Sequence, residues 1–280
     1  MRRLGVHTSI AGGIHLSLER ARELGCSTMQ IFSHNPRQWQ ADAIPEEQAA
    51  MFRQLRKAYD ISPVYVHTSY LINLAALDPS VLLKSVHLLI TEMDLADSLG
   101  ADYVVLHTGS ASKDDASVAG KRAVEALRRV AGEKSWRAKL LLENTAGERG
   151  DISSRMADLA EIMAGTDSPL IAGVCIDTCH AFAAGYDLCN KGGIDVLAAE
   201  VKRYLGKGKV RLVHLNDSKK GCNSHVDRHE HIGQGGIGTA GLQAFINHAL
   251  FKDVPLVLET PKKSESDDKM NLETVRGLLA

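Results

Sequence analysis

Cysteine is scarce in this chain: Cys26, Cys175, Cys179, Cys189 and Cys222 are the only five among 280 residues. The number is odd, and no spacing gives a disulfide framework or a Cys-x-x-Cys zinc knuckle. Long apolar runs are missing as well. No segment approaches the roughly 20 apolar residues of a membrane span, and the start, Met1-Arg2-Arg3-Leu4, lacks the apolar stretch of a signal peptide. A cytoplasmic protein with reduced thiols and no membrane partner is expected. An excess of charge is absent too, with 33 basic against 34 acidic residues. That excludes a protein basic all over, although a local basic rim would vanish in the sum. There is no internal repeat and no low-complexity linker.

What is there is a series of short apolar runs, each ending on a residue type that binds metals. Val64 to Val66 ends on His67, and Tyr103 to Leu106 ends on His107. Leu140 to Leu142 ends on Glu143, and Val174 to Ile176 ends on Asp177. Val210 to Val213 ends on His214, and Leu256 to Leu258 ends on Glu259. Runs rich in Val, Ile and Leu read as buried strands. Leu4 to His7 and Thr28 to Phe32 add two more. Helical patterns fall between them over Ile14–Leu24, Glu46–Tyr59, Val81–Leu99, Val118–Val130, Met156–Met163, Val196–Leu205, Leu242–Leu250 and Leu272–Leu279. Strand-helix alternation repeated eight times predicts an α/β fold, a single (β/α)₈ TIM barrel over residues 1–280. An open doubly wound sheet is the alternative, but it would place ligands on two sides of one crevice and not around a ring. The segment from Lys262 to Lys269 reads as a loop. The longest irregular stretch, Asp217 to Gly238, has the length of a functional loop.

Three more candidate ligands sit in loops. His180 lies three residues past Asp177, and Asp227 and His229 are spaced to face the same way in an extended segment. The set reaches nine: His67, His107, His180, His214, His229, Asp177, Asp227, Glu143 and Glu259. Four carboxylates in one pocket would repel and be driven to take up protons. Divalent cations resolve this, and imidazole with carboxylate suits zinc, with manganese or iron as substitutes. A catalytic zinc usually takes three protein ligands and keeps an open position, so nine ligands divide into three sites. A surplus of positive charge would attract an anion, a phosphodiester above all. His15, His87 and His248 fall in helical segments and read as surface or packing residues. His7 reads as a pocket residue without metal, and His225 and His231 as outer supports or phosphate contacts.

The strings CIDTCHAFAAGY (Cys175 to Tyr186), HLNDS (His214 to Ser218), VDRH (Val226 to His229), LLENTAG (Leu141 to Gly147) and HTSYLINL (His67 to Leu74) resemble the endonuclease IV family of DNA-repair enzymes. The likeness runs from Gly5 to Glu259. It implies a TIM barrel with three zinc ions that cuts duplex DNA 5′ to abasic sites, leaving a 3′-hydroxyl and a 5′-deoxyribose phosphate, and that also removes 3′-blocking groups. Carried onto this chain, one ion takes His67, His107 and Glu143. A second shares Glu143 and takes Asp177, His214 and Glu259, and the third takes His180, Asp227 and His229. Glu143 and Glu259 are then also the catalytic carboxylates, in an in-line displacement by metal-activated water. Asn35, Arg37, Tyr70 and His231 are implied as DNA contacts, and a monomer suffices to cut one strand. Thr108 stands where the family pattern suggests proline, and Gln234 where it suggests glutamate. A metal-dependent sugar isomerase or epimerase on the same barrel is the rival, and the third ligand group disfavours it.

Overall fold

A computed structural model describes residues 2–148 and 150–279. Seven parallel strands come first: β1 (Leu4–Val6), β2 (Met29–Phe32), β3 (Val64–His67), β4 (Tyr103–His107), β5 (Lys139–Glu143), β6 (Ile171–Asp177) and β7 (Val210–His214). Two short strands, β8 (Asp217–Ser218) and β9 (His229–Glu230), pair antiparallel with each other. β10 (Leu256–Leu258) completes the main sheet. Its order is β1-β10-β7-β6-β5-β4-β3-β2. A parallel bridge between His7 and Gln30 joins the two ends of that sheet, so the ring closes. The expected TIM barrel is what the chain forms.

The helices are α1 (Leu16–Glu23), α2 (Glu46–Ala58), α3 (Pro79–Leu99), α4 (Ala116–Glu133), α5 (Met156–Thr166), α6 (Thr178–Ala183), α7 (Lys191–Glu200), α8 (Gly238–Ile246) and α9 (Asp267–Leu278). Local chemistry sets several ends. Asp78 and Asp115 accept backbone N–H groups at the starts of α3 and α4, a capping contact worth about 1 kcal/mol. Gly100 ends α3 in the left-handed region at φ 64°, where a Cβ would be strained.

Several expectations need correction: His15 stands just ahead of α1 and not inside it, and β8 and β9 form within the stretch read as irregular. α6 falls where His180 was read as a loop residue; all six of its residues are buried, so it has no polar face to give a helical period. α7 starts five residues before Val196, and the chain continues from it into a short π-helix over Val201–Leu205. α8 ends at Ile246, which leaves His248 outside a helix, 3.4 Å from Asp195. α9 begins inside the segment read as a loop, at Asp267, whose carboxylate accepts from the backbone N–H groups of Lys263 and Ser264.

Two apolar layers hold the barrel. The larger lies between strands and helices. The smaller fills the barrel itself and consists of Tyr65, Val105, Leu141, Cys175, Leu212 and Val257, all fully buried. Side chains two apart on a strand face the same way. Two residues beyond each plug residue stand His67, His107, Glu143, Asp177, His214 and Glu259. The pleat that packs the plug therefore lifts six polar groups directly above it, from six adjacent strands. Leu141→Ala should destabilise the fold by roughly 2–5 kcal/mol in chemical denaturation. A loss under about 1 kcal/mol would show that the plug is not close-packed.

Candidate metal centre

The plug's polar cap resolves into three groups of nitrogen and oxygen donors. His67, His107 and Glu143 form one; Glu143, Asp177, His214 and Glu259 form another; His180, Asp227 and His229 form the third. Within each group the donor atoms lie within 4.8 Å of one another. Glu143 belongs to two of them. Its Oε2 faces His107 Nε2 at 3.1 Å and His67 Nε2 at 3.3 Å, while its Oε1 faces His214 Nδ1 at 2.8 Å. The two oxygens of one carboxylate thus serve different groups.

The long loop that delivers Asp227 and His229 is tied down by Asp217. That buried carboxylate accepts backbone N–H groups from Ser218, Gly235 and Ile237 at 2.8–2.9 Å. Gly235 passes so close that a Cβ there would sit 2.4 Å from the Ser218 carbonyl oxygen.

Three of the imidazoles are each held in one orientation by a backbone carbonyl. Nδ1 of His67 lies 2.8 Å from the Thr68 carbonyl oxygen, Nδ1 of His180 2.9 Å from that of Asn144, and Nδ1 of His229 3.0 Å from that of Glu259. A carbonyl only accepts, so each Nδ1 must carry the proton, and the Nε2 lone pair faces inward. The Nε2 atoms of His107, His180 and His229 are buried and have no hydrogen-bond partner. Yet carboxylate oxygens lie 3.1, 3.2 and 3.3 Å from them. Nitrogens and carboxylates that converge at such distances without hydrogen-bond alignment have the arrangement of ligands around a cation. This donor set fits zinc. Two further groups would bring in Cys175 or Cys179. Burial pushes both thiols up to about 12, which disfavours the thiolate while no cation is bound.

Electrostatics follow from the crowding. Burial opposes charge on Glu143, but the imidazoles of His214 and His107 outweigh it and hold the carboxyl well below its usual range. Asp227 is lowered against burial by His180 and His229. His180 is raised well above 6.5, because Asp177 and Asp227 outweigh its burial. Between His180 and Asp227, in a metal-free site, the proton therefore sits on His180.

An amide completes the network. Gln30 accepts from His214 Nε2 at 2.8 Å through its carbonyl oxygen, which leaves His214 Nδ1 to face Glu143. Its NH₂ donates to Glu259 at 2.6 Å and lies 3.0 Å from His7 Nδ1. Asn216 donates to Asp177 at 2.6 Å and accepts the Glu259 backbone N–H at 2.8 Å. Asn144 accepts the Asp177 backbone N–H at 2.8 Å. Sequence reading assigned no role to these three. The available signal was a glutamine inside an otherwise apolar strand, Met29–Phe32.

A cleft of about 940 Å³ opens over the centre. His67, His107, His180, Asp227, His229 and Glu259 line its floor, and Asn35 and Tyr70 line it further out. Arg37 is exposed beside them, its N–H on the Asn35 side chain at 3.1 Å. His231 is not among the lining residues; Asn271 donates to its Nδ1 at 3.0 Å. His225 is exposed, at φ 53°. Thr108 is buried with its hydroxyl unpaired, and the Gln234 N–H donates to the His231 carbonyl.

A family model described as a xylose isomerase-like TIM barrel matches residues 18–278. A probable endonuclease 4 from Halothermothrix orenii is 41% identical over 270 residues, which cover 96% of this chain and 97% of that protein. The chain belongs to the endonuclease IV family. Endonuclease IV from Thermus thermophilus superposes with a TM-score of 0.86 at 40% identity, covering 99% of this chain and 98% of that one. A 3-keto-D-glucoside 4-epimerase from E. coli reaches a TM-score of 0.68 at 13% identity, with 99% of each chain covered. At that identity the likeness is one of fold alone, and it does not favour the sugar-isomerase alternative.

Two outcomes are expected for this endonuclease IV relative. Gln30→Leu should weaken zinc binding roughly 10–100-fold in chelator competition while the protein stays folded; unchanged affinity would remove Gln30 from the centre. Zinc uptake should release protons, because the raised His180 must become neutral to ligate. Affinity then climbs as pH rises and falls as His180 protonates. Calorimetry in buffers of different ionisation enthalpy measures this, and zero proton release would contradict the ligand assignment.

Proposed function

We propose that this chain is a metal-dependent DNA-repair endonuclease that hydrolyses the phosphodiester 5′ to an abasic site. The observation that carries the proposal is the third donor group, His180, Asp227 and His229, contiguous with the other two on the floor of one cleft. As a member of its family the chain is a phosphodiester-cleaving hydrolase; the ion count, the substrate and the products belong to the proposal. His67, His107 and Glu143 would hold one zinc, Glu143, Asp177, His214 and Glu259 a second, and His180, Asp227 and His229 a third, with manganese a substitute. Bound zinc supplies Lewis acidity, which acidifies water toward a pKa of about 7 and offsets charge on the phosphate and the leaving oxygen.

The chain's own residues do the rest. Glu143 stays ionised in a buried position and faces two donor groups at once, so its charge links them. Gln30 and Asn216 keep Glu259 and Asp177 from turning away. Phe32 packs edge-on against both His67 and Tyr70. Tyr70, 65% exposed, therefore rises from the floor of the centre to its mouth. There it can stack on a base or sugar while Arg37 meets a phosphate. Asn35 faces the same cleft, and His231 is an outer contact. An abasic nucleotide has no base to unstack, so entering the cleft costs it less than the few kcal/mol an intact nucleotide requires. The products would be a 3′-hydroxyl and a 5′-deoxyribose phosphate, and the same centre would trim 3′-blocking groups. A cytoplasmic monomer meets these needs. Among the described residues no helix is long and apolar enough to cross a membrane.

Incubation with abasic and intact duplexes, before and after chelation, tests this. Nicking should be confined to the abasic duplex, stop on chelation and return with zinc. Nicking that survives complete metal removal would contradict the proposal, as would turnover of a free ketose in its place. Glu143→Gln should lose both metal and nicking, at least 10²-fold in rate. Normal metal content with normal activity in that variant would exclude the shared carboxylate.

A further inference from the structure

Away from the donor groups a polar pair stands out, made of Glu92 and of His34, which lines the cleft. Glu92 projects from α3 and is 1% exposed. Its Oε1 accepts the backbone N–H of Ser69 at 2.9 Å and lies 2.7 Å from His34 Nε2. His34 belongs to the loop after β2, which carries Asn35 and Arg37. Ser69 belongs to the loop after β3, which carries Tyr70. The two loops are also joined directly, since the Ser69 hydroxyl donates to the Pro36 carbonyl oxygen at 2.7 Å and accepts from the Leu71 N–H at 3.2 Å. A single carboxylate on a helix therefore anchors both arms of the cleft's mouth.

The pair is poorly designed for stability alone. Glu92 Oε2 and His34 Nδ1 are buried with no hydrogen-bond partner. Burial raises the Glu92 carboxyl, and His34 and Ser69 only partly counter it. Buried polar groups left half-satisfied cost stability, and apolar groups of the same shape often do as well or better. What this pair supplies is position: it fixes two loops that would otherwise have to be ordered when a ligand arrives.

We propose that Glu92 and His34 form a buried clasp that couples the loops after β2 and β3 into one rigid jaw for the DNA backbone, making both residues positioning elements for substrate binding. The inference rests on the endonuclease reading above. It predicts an effect on KM and not on the chemical step, because neither residue reaches the donor groups.

The test compares the zinc-loaded wild type with the double variant His34→Leu/Glu92→Gln, in which the new amide still accepts from Ser69 while its contact with His34 is lost. Wild-type nicking of an abasic duplex first establishes the reading itself; its failure would overturn that reading and leave no jaw to test. Given nicking, the double variant should keep its zinc, hold kcat within about twofold and raise KM about tenfold, the scale of one ordered loop. His34→Gln, which restores a donor to Glu92, should return KM to within about threefold of wild type. Arg37→Ala and Tyr70→Ala should be non-additive in wild type and closer to additive in the double variant, where only the Ser69–Pro36 contact still joins the loops. Unchanged KM in the double variant would overturn the clasp, as would a His34→Gln as impaired as the double. Should the double variant not fold, single His34→Leu carries the same comparison, with the same KM rise expected and the same null result decisive.

Discussion

Crowding of like charge is the constraint on which this molecule turns. Four carboxylates, Glu143, Asp177, Asp227 and Glu259, converge over the plug of a barrel, and two of them are fully buried. Such a cluster is tolerable only if positive charge enters with it. Five imidazoles share the space, and without cations the surrounding carboxylates hold His67, His180 and His214 toward the protonated form. Once neutral, the same imidazoles become ligands. The Nε2 atoms of His107, His180 and His229, buried and without hydrogen-bond partners, have the placement of ligands and not of donors.

The barrel makes this crowding affordable through geometry. Tyr65, Val105, Leu141, Cys175, Leu212 and Val257 pack against one another, and the two-residue pleat lifts one polar group from each of six adjacent strands to a common level. No loop has to search for its place in that ring. The three donors outside it are fixed by other means: His180 by the short helix that Asp177 caps, Asp227 and His229 by the loop that Asp217 fastens. Beyond them lie Gln30, Asn144 and Asn216, whose amides set ring and carboxylate orientation. Further out, Glu92 and His34 join the cleft's two arms to a helix.

The ring was legible in the chain because its signal is local. An apolar run that ends on His, Asp or Glu states both the strand and its polar tip, and six such runs separated by helix-length segments state the barrel. The pairing of Asp227 with His229 was legible for the same reason, since i and i+2 share a face. Gln30 was not, because what gives it meaning is His214, 184 positions away, and Glu259, 229 away. The helix at His180 was hidden by complete burial, which removes periodic contrast. The His34–Glu92 contact was hidden by a separation of 58 positions. Arg37, Asn35 and Tyr70 gave no chemical signal of their own and drew attention only through family resemblance; the structure sets Asn35 and Tyr70 at the cleft and His231 outside its lining.

Endonuclease IV relatives share this chain's length and fold, and the sugar epimerases share the fold alone. The cap of this chain offers three donor groups, so the number of cations it holds is the quantity to read. Anomalous diffraction at the zinc edge, from crystals grown with zinc, reads that number directly. The account predicts three peaks, two of them flanking the Glu143 carboxylate and the third enclosed by His180, Asp227 and His229. A single peak, or zinc bound at Cys175 or Cys179 in place of these groups, would contradict it.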